Sequence, residues 1–240
     1  MPELSSSIPE PRAARASGQS WMLSMLPTIA AGSVLYFIGD LAVQHVLRPS
    51  YDPVRAFVSA FVVGRYGSLQ VAAFAALGIG LICLAIGLRK TLTASIWLRG
   101  GATLLVVCGV STLSAATFTT DLPGAVATAG GIVHATAAIV GYCTLVGAMW
   151  ALSVHFLTDP RWTGLAGWSI LLAVLGLILL VMLLFTLDTV IAGLTQRLFG
   201  LSTFVWLLLV SLRLALGGSA RATTSCAGRA ARSTGAAARP

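Results

Sequence analysis

Leu165-Ala-Gly-Trp-Ser-Ile-Leu-Leu-Ala-Val-Leu-Gly-Leu-Ile-Leu-Leu-Val-Met-Leu-Leu-Phe-Thr-Leu187 carries no charged residue along its whole length. An α-helix of this length extends a little over 30 Å, about the thickness of the hydrocarbon core of a bilayer. Five further apolar runs share the pattern: Trp21–Val46, Tyr66–Leu88, Ile96–Phe118, Gly130–Phe156 and Leu198–Leu216. The fold class that follows is all-α: a polytopic membrane protein built as a six-transmembrane-helix bundle over residues 21–216. With 57% hydrophobic and only 9% charged residues, against about a quarter charged in a soluble domain, a water-soluble fold is excluded.

The ends differ from the middle. Residues 1–20 are rich in Ser, Pro and Ala, and residues 217–240 in Gly, Ala, Thr and Arg. Neither has apolar periodicity, so both read as disordered tails. The first run is too long for a cleaved signal and lacks a small-residue cleavage motif, so it reads as a retained anchor. Cys83, Cys108 and Cys143 fall inside spans and Cys226 in the tail, which is neither a disulfide framework nor a metal-ligand spacing.

Six spans place both ends on one side. Eleven of the fifteen Lys and Arg residues lie on that side, while Arg48, Arg55, Arg65 and Arg197 lie on the other. The positive-inside rule then predicts a cell-membrane, multi-pass protein with both termini cytoplasmic. Scattered at helix ends and in the tails, the basic residues suit lipid headgroups and orientation, and no nucleic-acid partner is predicted from the net charge of +8.

The polar chemistry gathers on the opposite, outer side. Asp52 and Asp121 fall in outer connections, Asp188 at the outer end of the fifth span, and His45 and His134 near the outer ends of the first and fourth. Asp40 stands about two turns inside the first span, where an ionised carboxylate costs about 2.5–3.5 kcal/mol. It must face the bundle interior, meet a partner or stay protonated. Pairing with an arginine or packing against Tyr36 or Gln44 is its structural reading; a proton site or part of a substrate pocket is its functional one.

Asp52-Pro53 is a good helix start, with a side-chain acceptor at the cap and no amide hydrogen at the next position. Val54, Phe57, Val58, Phe61 and Val62 follow at helical spacing. They predict a short outer interfacial helix, lying on the membrane surface or folded over the mouth of the bundle. His134 begins a face continued by Ala137, Ala138 and Gly141, and Ala72, Ala76 and Gly80 repeat that pattern on the second span; small residues let helices approach. Pro123-Gly124 favours a turn in which Asp121 bonds its own backbone. Asp188 and Arg197 are placed to pair across the short connection between the last two spans.

Several of these residues together resemble the bacterial and archaeal membrane family called domain of unknown function 998. The resemblance rests on Arg48-Pro49-Ser50-Tyr51-Asp52-Pro53 followed by Arg55-Ala56-Phe57-Val58-Ser59, on Asp121-Leu122-Pro123-Gly124 with Gly131-Ile132-Val133-His134, and on Gly193-Leu194-Thr195-Gln196-Arg197-Leu198. It covers nearly everything except the tails. Many members carry an acidic residue after the first serine and before the late arginine; Ala60 and Gln196 stand there in this chain. The resemblance implies a fold and a membrane address and no established reaction.

Four functional readings follow. A non-enzymatic protein would use an outer-facing pocket of Asp40, His45, Arg48, Tyr51, Asp52, Arg55, Asp121, His134, Asp188 and Arg197 to bind or pass a small molecule or lipid headgroup. A membrane enzyme would pair His134 with Asp40, Asp52 or Asp121 as acid and base on a lipid-linked substrate, although HExxH, nucleophile-elbow and two-metal patterns are absent from the sequence. A haem held by His45 and His134 is a third reading, though no cofactor is needed by the first. The fourth is structural, with membrane lipids, a homo-oligomer or a membrane protein as partner.

Overall fold

A computed structural model describes the backbone of residues 11–236 and the side chains of residues 25–217. Six helices are present: α1 (Pro11–Leu47), α2 (Gly67–Thr91), α3 (Ile96–Thr117), α4 (Ala129–Thr158), α5 (Thr163–Thr186) and α6 (Ala192–Ala236). Each is long and apolar enough to cross a membrane, and no strand accompanies them among the described residues. Helical backbone enters both segments expected as tails, whose side chains lie outside the described residues. The last span begins six residues before its expected start, at Ala192.

Local sequence explains where the helices begin. Ser95 caps α3 by accepting from the Leu98 amide at 3.0 Å, and Thr128 caps α4 by accepting from Gly131 at 3.0 Å. Each cap satisfies an amide that the first turn leaves without an intrahelical acceptor.

Sequential helices pack side by side, and α6 closes the ring against α1. The α1/α2 seam shows the antiparallel register. Gln44 Nε2 donates to the Tyr66 carbonyl at 3.1 Å, Phe37 meets Phe74 edge-on at 5.3 Å, and Ser33 occupies the space a Cβ on Gly80 would need. Gly80 therefore performs the close approach expected of it, whereas Ala72 is exposed and takes no part. Phe37 also packs on Phe204 at 5.2 Å, tying α1 to α6. Farther down, Ser153, Ser169 and Trp206 form a buried chain across α4, α5 and α6: Trp206 Nε1 donates to Ser169 Oγ at 2.7 Å, and the two hydroxyls are 2.6 Å apart.

Apolar side chains that would be anomalous in water face outward. On α5, Leu171, Leu175, Ile178 and Phe185 are all exposed, the disposition of a helix whose outer surface is solvated by lipid. The protein is thus a multi-pass membrane protein.

The connection between α4 and α5 carries an ion pair whose strength the sequence did not advertise. Asp159, 6% exposed, accepts from Arg161 Nε at 2.9 Å, from its Nη2 at 2.6 Å and from its backbone amide at 3.0 Å. Arg213 then reaches from α6 to the Arg161 carbonyl at 2.6 Å. Hydrogen bonds from Arg161 hold the Asp159 carboxyl below its ordinary range. Because the folded state lowers this pKa, the pair stabilises fully above about pH 4 and progressively less as pH falls through the folded value. Asp159→Asn should cost about 1 kcal/mol at pH 7, the partner being half-exposed, and nearly nothing once the wild-type carboxyl is protonated. Thermal unfolding of both proteins in detergent across the acid range will show whether the difference closes in that direction.

Candidate functional site

The segment between α1 and α2 folds inward over the mouth of the bundle and forms a lid. Folding over the mouth is one of the two placements expected of the short outer helix, which forms but begins at Val58 and not at Asp52-Pro53. Asp52 caps only a turn, accepting from the Val54 amide at 2.9 Å, and the helix is a single 3-10 turn over Val58–Val62. Phe61 is fully buried, with Val58, Ala60 and Val62 nearly so. The physical reason is that Val58, Phe61 and Val62 of the apolar stripe have a core to enter and pack there, while Val54 stays exposed.

Backbone groups buried in such a lid have no water to bond, and Arg48 just after α1 and residues at the start of α6 supply partners. Arg48 Nη1 donates to the Phe61 carbonyl at 3.0 Å, and Arg197 Nη1 to Ala56 at 2.8 Å and Gly193 at 2.9 Å. Gln196 accepts from the Val58 amide at 2.7 Å while its Nε2 donates to the Tyr142 hydroxyl at 2.7 Å. The Leu194 amide donates to the Val54 carbonyl at 2.9 Å. A Cβ at Gly193 would collide with the carbonyls of Ala56 and Pro53, which is why glycine stands there.

Rings fill the space between these bonds. Tyr51 stacks on Phe61 at 3.9 Å and donates its hydroxyl hydrogen to the Phe57 carbonyl. The guanidinium carbons of Arg48 and Arg197 each lie 5.8 Å from the Tyr51 ring centre. Burial pushes the Tyr51 phenol above its ordinary pKa, against the pull of both arginines, so it stays neutral and cannot serve either as a counter-ion. His45 donates from Nδ1 to the Leu41 carbonyl at 2.6 Å, since a carbonyl only accepts; its Nε2 faces Arg197 Nη2 at 3.5 Å.

Below the lid lies a cavity of about 230 Å³, room for roughly eight water-sized groups. Its walls are apolar, with Phe37, Leu41, Phe74, Leu77, Leu145 and Phe204 among them, and its polar groups include Ser59, His134, Tyr142, Gln196 and Arg197. Ile38 and Leu201 line it and are also exposed, Leu201 to 60%, so the seam between α1 and α6 is thin enough to meet the lipid side. Ala137, Ala138 and Gly141, expected to seat a neighbouring helix, line this space as well. With this geometry the family can be stated. The chain belongs to the family described as Protein of unknown function (DUF998), which matches residues 30–213. No curated protein and no solved structure matches it.

For this DUF998 protein the ten residues expected to form one pocket divide into groups. His134 and Arg197 line the cavity, while His45, Arg48 and Tyr51 build the lid above it. Asp52 and Arg55 sit on the lid's exposed surface, paired to each other at 3.4 Å. Asp121 bonds the Thr128 amide and hydroxyl at 2.8 Å each, seven residues on, and presses against Gly131. It closes the α3–α4 connection and not its own turn. Asp188 is exposed and makes no ion pair with Arg197, whose guanidinium is turned to the lid carbonyls instead.

The pairings expected of His134 are not formed either. Its Nδ1 donates to the Phe118 carbonyl at 2.8 Å, and no aspartate shares the cavity with it. His45 packs in the lid against Phe61 at 5.1 Å, so the two histidines do not face one another across the cavity for a shared axial site. Asp40 is buried off the cavity, and its Oδ2 has no hydrogen-bond partner; nor do Gln44 Oε1 and both side-chain polar atoms of Gln70. The α1/α2 register sets Asp40 level with Gln70, a buried polar residue one turn into α2 that the sequence reading passed over.

Gln196, whose partners no local pattern in the sequence marks, joins the lid to α4. Gln196→Leu should strand the buried Val58 amide and the Tyr142 hydroxyl, a loss of about 1–3 kcal/mol. Hydrogen exchange across residues 54–62 would quicken markedly in that variant, while exchange in α5 stays at the wild-type rate; unchanged lid protection would mean that Gln196 does not hold it.

Proposed function

We propose that this membrane protein is a binding protein, without catalytic activity, for a small molecule or part of a lipid that occupies the cavity beneath the lid. The observation that carries the reading is the partly enclosed apolar space with polar groups converging at its lid end, the usual make-up of a small-ligand site. Apolar walls would hold the body of such a ligand, and Ser59, His134, Tyr142, Gln196 and Arg197 offer donors and acceptors to its polar end. The thin α1/α6 seam supplies a lateral route from lipid that leaves the lid bonds in place. Enzymatic acid–base chemistry has less support, because His134 lacks a carboxylate beside it in the cavity.

Filling the space tests the reading. Native mass spectrometry of the wild-type protein released from native-like lipid should show one molecule retained through delipidation. Ala138→Phe, which places a ring against the cavity from α4, should retain none while keeping the wild-type helix content. Equal retention in both would place the bound molecule elsewhere and remove the proposal.

The proposal extends to orientation. The charge asymmetry of the chain supports a lid that faces out of the cell, with both termini in the cytoplasm. A cysteine introduced by Asp52→Cys on a background with the native cysteines replaced should react with a membrane-impermeant maleimide in intact cells. Labelling only after the cells are opened would reverse the topology.

A further inference from the structure

The cavity's polar end is not neutral. Arg197 lines it, and its Nε is buried with no hydrogen-bond partner, although Nη1 is fully engaged with the Ala56 and Gly193 carbonyls. Arg48 lies as close to the Tyr51 ring as Arg197 does, 5.8 Å from its centre, but does not line the cavity. Among the described residues the acidic side chains that form ion pairs are Asp52, with Arg55, and Asp159, with Arg161, so neither lid arginine has a carboxylate within 4 Å. Arg197 thus borders an apolar space with no carboxylate within ion-pair distance.

A charge withdrawn from water is stabilised by an opposite charge or by hydrogen bonds to its donors. The Ala56 and Gly193 carbonyls take Nη1, and His45 Nε2 faces Nη2 at 3.5 Å; these neutral partners leave the net charge of Arg197. The backbone cannot supply the negative charge, and the cavity is where a group carrying it would fit. Carboxylate and phosphate oxygens are the groups that match a guanidinium in charge and geometry.

We infer that the occupant of this cavity is an amphiphile with an anionic head, a carboxylate or a phosphate, which pairs with the Arg197 guanidinium while its apolar chain lies between α1, α2 and α6. The inference rests on the cavity being the binding site and adds the chemical class of the ligand. Cavity volume limits the enclosed part of the chain to roughly eight methylene-sized groups; anything longer would leave through the seam at Ile38 and Leu201. The head can come from a free acid or from a phospholipid, and these differ in how much chain must pass that seam.

Chain-matched probes separate head from tail. Thermal shift of the purified full chain in a neutral detergent would be measured with octanoate, octyl phosphate, octanol and octyltrimethylammonium. Octanoate or octyl phosphate should stabilise the wild type at concentrations at least tenfold below those octanol needs, and the ammonium compound should not. Arg197→Gln should abolish the advantage of the acids over octanol, Arg197→Lys should keep part of it, and Ala138→Phe should remove the response to acids and alcohol alike. If Arg197→Gln does not fold, the head series on the wild type still decides.

Octanol matching the acids in the wild type would overturn the anionic head and leave the cavity reading standing. No response to any probe, with no retained molecule by mass spectrometry, would remove both. Phosphatidic acid displacing octanoate would support a lipid as the source of the head, whereas octanoate bound undisturbed would support a free acid.

Discussion

Hydrocarbon offers no hydrogen bonds, so any backbone that leaves helical geometry near the membrane must find its partners inside the protein. The segment from Arg48 to Tyr66 is where this constraint acts on the fold. Its carbonyls at Val54, Ala56, Phe57 and Phe61 and its amide at Val58 are met by Leu194, Arg197, Tyr51, Arg48 and Gln196. Four of those five partners lie at the last residue before the lid's first turn or in the first turns of α6. The lid is consequently as well placed as the helices that supply its bonds, and the cavity below it is defined by the same few side chains.

Periodicity and length made the architecture legible because lipid demands long uninterrupted helices, and this demand writes itself into runs such as Leu165–Leu187. The lid was legible in its residues and not in its shape. Asp52-Pro53 carries a helix-start signal that the structure spends on a single turn, since Phe61 and Val62 gain more from burial than a longer surface helix would gain from continued bonding. What no local pattern could indicate was partnership across more than a hundred residues, such as Gln196 with Val58, or the turning of Arg197 from Asp188 toward carbonyls. Charge complementarity had suggested an ion pair. A desolvated backbone carbonyl proved the stronger claim on the guanidinium, because leaving it unpaired is costly whereas an exposed ion pair contributes little.

Asp40 shows the limit of reasoning from depth alone. Its position in the span predicted an interior side chain and the structure buries it, but against α2 and away from the cavity. The seam it occupies is tight, with Ser33 at Gly80 and Phe37 on Phe74 below it and Gln44 bonded to Tyr66 above. Polar groups in so close a seam resist sliding of one helix along the other, because each shift would move them into hydrocarbon. That is a specifying role of the kind buried polar residues play in helix pairs, and it requires no ligand.

Adjacent residues on one turn of α6 face two tasks. Gln196 ties the lid to α4, and Arg197 ties it to α6 while lining the cavity. An anionic head pairing with Arg197, as inferred above, would favour the guanidinium orientation that already serves the Ala56 and Gly193 carbonyls. Occupancy and lid closure must then favour each other to the same extent, since coupling between two equilibria is reciprocal. Release through the seam between α1 and α6 leaves those lid bonds intact, whereas release through the mouth has to break them. For the proposed ligand at Arg197, the lateral path would therefore carry the smaller cost, with the lid bonds left in place.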